Sequence, residues 1–242
     1  MKLYGINPVV ERIKKDPRSI LNLYLREKTD LSKVVLAARS QKLDFKAVSK
    51  EEFLEITDKL NTQGVVAEVE EFIYTPYDEL LDELFTEHII PVFVDGLTDP
   101  QNLGSIIRHL ACLGGFSLVI PEHNSVNVNE TVLRVASGGE NYLKIAIVAN
   151  NASSISKAKS RGIKIIGAEI EDAQNIVDVT LPSKGNIAVV IGSEGKGIRP
   201  GISKLLDIRA TIPMPGAQLS YNAAVATTLF CYEINRKLKL GA

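Results

Sequence analysis

The chain has 242 residues, 45% hydrophobic and 24% charged, with a formal net charge of −1, an ordinary globular composition with room for one large domain or two modest ones. Its apolar runs stop short of the roughly 20 residues a membrane helix needs. No metal-binding spacing links its two cysteines, so membrane-spanning and metal-centred functions are set aside. Cys112 and Cys231 sit in apolar helical patterns and are expected to be buried thiols. With no signal peptide or anchor in the opening residues, a cytoplasmic location is expected.

Charge is spread unevenly along the chain. Residues 1–50 hold 12 Lys or Arg against 5 Asp or Glu, whereas residues 51–90 hold 1 against 12. The basic stretch could follow a phosphate backbone or could simply be a solvated surface. In chain order, Asn7–Lys15 reads as a helix with Pro8 in its first turn, Ile20–Leu25 as a strand and Leu31–Lys42 as a helix. Ser49 with Glu52 has capping-box spacing and starts a helix to about Leu60. Gln63–Val69 is a strand that closes a small α/β unit. Residues 72–88 are acidic and hold Pro76, which suits a linker with a short helix. The reading is an N-terminal domain of residues 1–71, a linker of 72–88 and a second domain of 89–242.

The second domain reads as parallel α/β. Strand candidates are Ile89–Val94, Ser117–Ile120, Lys144–Val148, Ile163–Ala168, Ile187–Ile191 and Ala210–Ile212, with helical patterns between most of them. Asn222–Leu238 is an amphipathic final helix with Arg236 and Lys237 in its last turn.

Three segments carry chemistry. The first follows the first of these strands and runs from Asp95 to Gly104. It lacks the glycine fingerprint of a Rossmann site, which argues against a nucleotide-dependent oxidoreductase. It puts Asn102 near a helix start, with Arg108 less than two turns further on; a helix cap and a surface arginine would explain both structurally. The second, Ile191-Gly192-Ser193-Glu194-Gly195-Lys196-Gly197, ends a strand in three glycines that admit close backbone approach. Its spacing is not that of a phosphate-binding P-loop. The third, Ile212 to Ala226, is a strand end, a loop stiffened by Pro213, Pro215 and Gly216, and a helix opened by Ser220 and Asn222. As structure alone, Ser220 would cap the last helix.

In this order and spacing the three segments resemble the motifs of the SpoU/TrmH family, the ribose 2′-O-methyltransferases of the SPOUT class. The similarity runs over residues 89–238. Tyr4-Gly5-Ile6-Asn7-Pro8-Val9 through Gln63-Gly64-Val65-Val66-Ala67 is similar to the small substrate-binding domain of the bacterial large-subunit rRNA guanosine methyltransferases in that family. The resemblance implies a parallel sheet with a deep trefoil knot, a homodimer and S-adenosylmethionine as cofactor. It implies RNA as substrate, with a guanosine of 23S rRNA as the expected target and tRNA as the alternative. A catalytically inert RNA-binding module is the other reading; five polar motif residues retained together speak against it.

The family's cofactor positions fall on Gly192, Ile212, Met214, Leu219 and Tyr221, and its reaction-site positions on Asn102, Arg108, Glu194, Ser220 and Asn222. No metal is implied. Tyr221 stands where the family commonly has leucine, which puts a bulkier ring beside the cofactor. Family accounts give Arg108 the role of base. A guanidinium is effectively never neutral in proteins, so a phosphate clamp and electrostatic stabiliser is the preferred role. His109, next to Arg108 but on another helix face, is expected to be a bystander.

Overall fold

The computed structural model describes residues 1–57, 62–182, 186–193, 195–216 and 219–238. The first part consists of β1 (Lys2–Tyr4), α1 (Ile6–Lys15), β2 (Ile20–Arg26), α2 (Ser32–Ser40), β3 (Lys46–Val48), α3 (Lys50–Ile56) and β4 (Val65–Val69). Its sheet runs β1-β4-β2-β3, with β4 antiparallel to β1 and β2, and β3 parallel to β2. Alternation along β2 sends Leu23 and Leu25 towards α1 and α2, where Val9, Ile13 and Val34 close a dry cluster. Phe53 of α3 packs on the opposite face with Tyr4, Val48 and Val66. Ser49 caps α3 as its spacing requires, its hydroxyl accepting from the Glu52 backbone N–H at 3.2 Å. The expected run of this helix to Leu60 falls on residues outside the described ones; the described helix ends at Ile56.

The second part adds α4 (Tyr77–Glu87), β5 (Ile90–Val94), α5 (Pro100–Leu113), β6 (Phe116–Pro121), α6 (Glu130–Ala136), β7 (Ile145–Val148), α7 (Asn151–Ser160), β8 (Lys164–Ala168), β9 (Gln174–Asn175), β10 (Ile187–Ile191), α8 (Pro200–Ser203), β11 (Ile208–Thr211) and α9 (Ala223–Leu238). The strands form one parallel sheet in the order β7-β6-β5-β10-β8-β11-β9. β5, β6 and β10 are buried along their whole lengths because helices cover both faces. Leu103, Ile106, Ile107 and Leu110 of α5, with Phe230 and Ile234 of α9, fill one face. Leu80 and Leu84 of α4, Ile155 of α7 and Ile202 of α8 fill the other. Among the described residues no helix is long and apolar enough to cross a membrane.

Each expected strand has its counterpart, with ends displaced by no more than two residues and Ile187–Ile191 matched at both ends. β1, β3 and β9 were not expected; at two or three residues they are too short to show an alternation. One burial expectation is corrected. Cys231 is buried, but Cys112 is exposed. It follows Leu110 by two residues, about 200° around the helix from a buried position, which turns its thiol to solvent.

Candidate functional site

A pocket of about 510 Å³ opens at the carboxyl ends of β8, β10 and β11, where open parallel sheets bind ligands. Ile191 and Gly192 come from β10 and the turn after it, Ile212 and Met214 from the segment after β11, and Ala223, Ala226 and Phe230 from α9. The second and third sequence segments therefore meet as two walls of one cavity.

The turn after β10 is held shut by its own backbone. Ser193 N–H donates to the Gly197 carbonyl at 3.1 Å and Gly197 N–H to the Ser193 carbonyl at 3.0 Å. Gly192 is forced by packing: a Cβ there would lie 2.2 Å from the Gly197 carbonyl carbon and 2.4 Å from the Ile198 nitrogen. A second restraint comes from Asp95, which directly follows β5 and is 1% exposed. The Arg199 side chain donates to its carboxylate through Nε at 2.8 Å and also through its terminal nitrogen, and the Arg199 backbone N–H adds a third bond at 3.1 Å. This bidentate pair ties the end of the glycine turn to the strand that begins the first segment.

The first segment reaches the site through Asn102. Asp99 caps α5, accepting from Gln101 N–H at 2.8 Å, and Pro100 occupies the first turn. Asn102 is thus free of a capping role and lies buried, with its Oδ1 accepting from Asn222 Nδ2 at 2.9 Å. Asn222, rather than Ser220, caps α9, since its Oδ1 accepts from Ala224 N–H at 2.9 Å. Ser220 and Tyr221 line the pocket. Leu219 is 75% exposed and does not line it. Glu194 lies outside the described residues.

Arg108 is exposed on α5 and does not line the pocket. Among the described residues its guanidinium has no hydrogen-bond or ion-pair partner. His109 half-buries between α5 and α9, its Nδ1 2.7 Å from Thr228 Oγ1. Burial first, then the neighbouring Arg108 charge, lowers its pKa, and its contact with Thr228 links the two helices. No group of three or more metal-ligating side chains occurs among the described residues.

Sequence reasoning missed one wall of the pocket. Glu169, Glu171 and Asp172 follow β8, with Glu169 accepting from Arg209 Nη1 at 2.6 Å. The readable signal was a cluster of carboxylates just past a strand in a parallel sheet, the place where such groups meet ligand hydroxyls or amines. These residues suit S-adenosylmethionine: the volume falls in the range of roughly 300–1,000 Å³ of small-molecule sites. The acidic wall complements the ligand's ammonium and sulfonium charges, and Ile191, Ile212, Met214 and Phe230 offer apolar surface for a purine.

Comparison with known proteins identifies the family. Residues 90–232 match the SpoU rRNA Methylase family, and residues 2–75 match the RNA 2′-O ribose methyltransferase substrate-binding domain. The chain is 33% identical over 241 residues to YacO of Bacillus subtilis, a protein named for the TrmH family of tRNA/rRNA methyltransferases, covering 96% of this chain and 94% of that one. It is 32% identical over 239 residues to the 23S rRNA (guanosine-2′-O-)-methyltransferase RlmB of Ralstonia nicotianae, covering 97% and 95%. The fold is shared with the AdoMet-bound rRNA methyltransferase of Sinorhizobium meliloti, at a TM-score of 0.78 and 22% identity over 98% of this chain and 87% of that one. The two family matches together span most of the chain, which belongs to the SpoU family of S-adenosylmethionine-dependent RNA 2′-O-methyltransferases.

Proposed function

We propose that this enzyme methylates the 2′-hydroxyl of a guanosine in 23S rRNA, acting as a cytoplasmic homodimer. The observation that carries the reading is the Asn102–Asn222 hydrogen bond, which brings the first and third segments together beside the pocket. The RlmB relatives, matched along nearly their whole length, favour rRNA over tRNA. Residues 1–71 serve as the RNA-capture domain, 72–88 as the joining segment and 89–242 as the methyltransferase domain. The basic excess of residues 1–50 supports capture, with Lys33, Arg39, Lys42, Lys46 and Lys50 all exposed. A deep trefoil knot in the last third is part of the reading, supported by the insertion of β10 between β5 and β8 and the return of α9 onto α5.

S-adenosylmethionine supplies an electrophilic methyl carbon on a sulfonium. Gly192, Ile212, Met214 and Tyr221 hold the adenosyl portion, and the exposed Leu219 closes over it from the loop. Asn102, Asn222 and Ser220 orient the ribose so that its 2′-oxygen faces the cofactor wall, since positioning supplies much of the rate of such a displacement. Arg108 clamps an RNA phosphate, and Glu194 completes the polar site. The ribose proton leaves to phosphate or water, because guanidinium holds its own proton.

Mapping 2′-O-methylation across the RNA of cells with and without this protein tests the substrate. Loss of one 2′-O-methylguanosine from 23S rRNA is expected. Loss confined to tRNA would replace the substrate, and no change in any RNA would remove the reading.

The dimer rests on α9. Val225, Leu229 and Tyr232 are 42%, 39% and 55% exposed, and their spacing forms one stripe along the helix. Phe230 and Ile234, on the other side, are spent in the core. A second copy covers this stripe and brings its own Arg108 flank with it. Light scattering should give a dimer mass for the native protein and a monomer mass for Leu229→Glu, with methylation lost in the variant. A native monomer with full activity would sink the dimer.

A further inference from the structure

The two sheets are joined by more than the segment between them. Glu130 of α6 accepts from the Lys2 backbone N–H at 2.6 Å and from the Tyr4 hydroxyl at 3.1 Å. Leu133 of α6 is built into the core of the first sheet. Beyond α6 the chain makes a short turn through Gly138, Gly139 and Glu140, in which Gly138 and Glu140 face α1 and Gly139 faces α5. A Cβ on Gly138 would lie 2.5 Å from Glu11 Cβ of α1. A Cβ on Gly139 would lie 3.0 Å from the Arg108 Cα and 3.3 Å from its nitrogen. The side chain of Glu140 is fully buried and 3.4 Å from Arg12 of α1, itself only 9% exposed. Tyr142 continues the seam, donating to Glu11 and lying under Lys15, whose Nζ is 4.4 Å from the ring centre.

The Arg12–Glu140 pair is poorly satisfied for its depth. Among the described residues Arg12 Nε and Glu140 Oε2 are buried with no hydrogen-bond partner, and burial pushes the Glu140 carboxyl pKa up despite the guanidinium. Two desolvated charges on one contact are a weak source of stability; their attested use is to select one register of packing. Here that register sets the first domain against the backbone of Arg108, with a single turn two glycines thick between them.

We propose that Arg12 and Glu140 are positioning residues for methyl transfer: through the Gly138–Gly139 turn they fix the RNA-capture domain at one offset from Arg108, so that RNA held on the first domain presents its phosphate to that arginine. This rests on the capture role of residues 1–71 and the phosphate role of Arg108 proposed above. The N-terminal domain is then part of the reaction geometry, not a tether that raises local RNA concentration.

The test replaces the pair with apolar residues of similar volume, Arg12→Met with Glu140→Met, an exchange that leaves folding neutral or improved. Thermal stability, S-adenosylmethionine affinity and RNA affinity should stay close to native. The single-turnover rate at saturating RNA and cofactor should fall about 10²-fold, the scale of a misplacement near 1 Å. A second arm needs no catalysis. Nitroxide labels at Gln41→Cys and Ser160→Cys, in a Cys112→Ser background with Cys231 buried, report the distance between domains. The native pair should give one narrow distribution and the methionine pair a broad one. A native single-turnover rate in the methionine variant, or an unchanged narrow distribution, would overturn the proposal. If the native enzyme itself methylates no RNA, the substrate reading fails, and the distance arm still decides whether the ion pair sets the docking.

Discussion

Arg108→Ala is expected to slow single-turnover methylation of RNA by about 10²–10³-fold, the scale seen when one preorganised charge-stabilising donor is removed. S-adenosylmethionine affinity should be unchanged, because Arg108 lies outside the pocket and makes no ion pair among the described residues. Arg108→Lys keeps the charge but loses the planar fork that grips two phosphate oxygens, so it should retain measurable activity between native and alanine. A pH–rate profile separates clamp from base. A clamp gives all three proteins the same profile shape. A new, lower apparent pKa in the lysine variant would mean that this position takes the proton, since a lysine pKa shifts readily on burial whereas that of arginine does not. Equal rates in all three proteins would remove Arg108 from the mechanism.

The second large effect is expected at Gly192. Adding one methyl group there collides with backbone atoms of Gly197 and Ile198, and backbone in a turn closed by two hydrogen bonds cannot rotate aside as a side chain would. Gly192→Ala should therefore open the turn, with a stability cost of about 1–3 kcal/mol and loss of saturable S-adenosylmethionine binding by calorimetry. Gly201→Ala on α8, where a Cβ meets nothing within 4 Å, serves as the control and should bind cofactor normally. Native cofactor affinity in Gly192→Ala would mean that this turn does not form the cofactor wall.

These two positions also mark what the sequence makes legible. Strands of the large sheet announce themselves as unbroken apolar runs such as Ile187–Ile191, because burial on both faces leaves no polar position. Gly192 and Asn102 stand out because each breaks the local pattern in a place where backbone or side chain must meet something. The capping roles were harder to read. Ser220 and Asn222 are both good caps by residue type, and only the hydrogen bond from Ala224 N–H decides for Asn222. The Asp95–Arg199 clamp and the Arg12–Glu140 seam join residues more than 100 positions apart. A single sequence has no local period that records such pairs. Cys112 and Cys231 show the same limit on a smaller scale, since both lie in apolar helical stretches and only the helix phase, set by tertiary packing, hides one and exposes the other.

The strand order has a consequence for how the molecule is made. β10 lies between β5 and β8, pairing Val94 with Ile191 and Ala168 with the same residue from the other side. Contacts so distant in sequence bear the entropy of loop closure before they are rewarded, which makes them slow to form. Until Ile187–Ile191 has left the ribosome, β5 and β8 each present an unpaired, largely apolar edge, the kind of template on which other chains add. Nascent chains stalled between β8 and β10 thus carry both open edges at once, and the ligand pocket, whose walls also need β11 and α9, comes into existence only after that hazard ends.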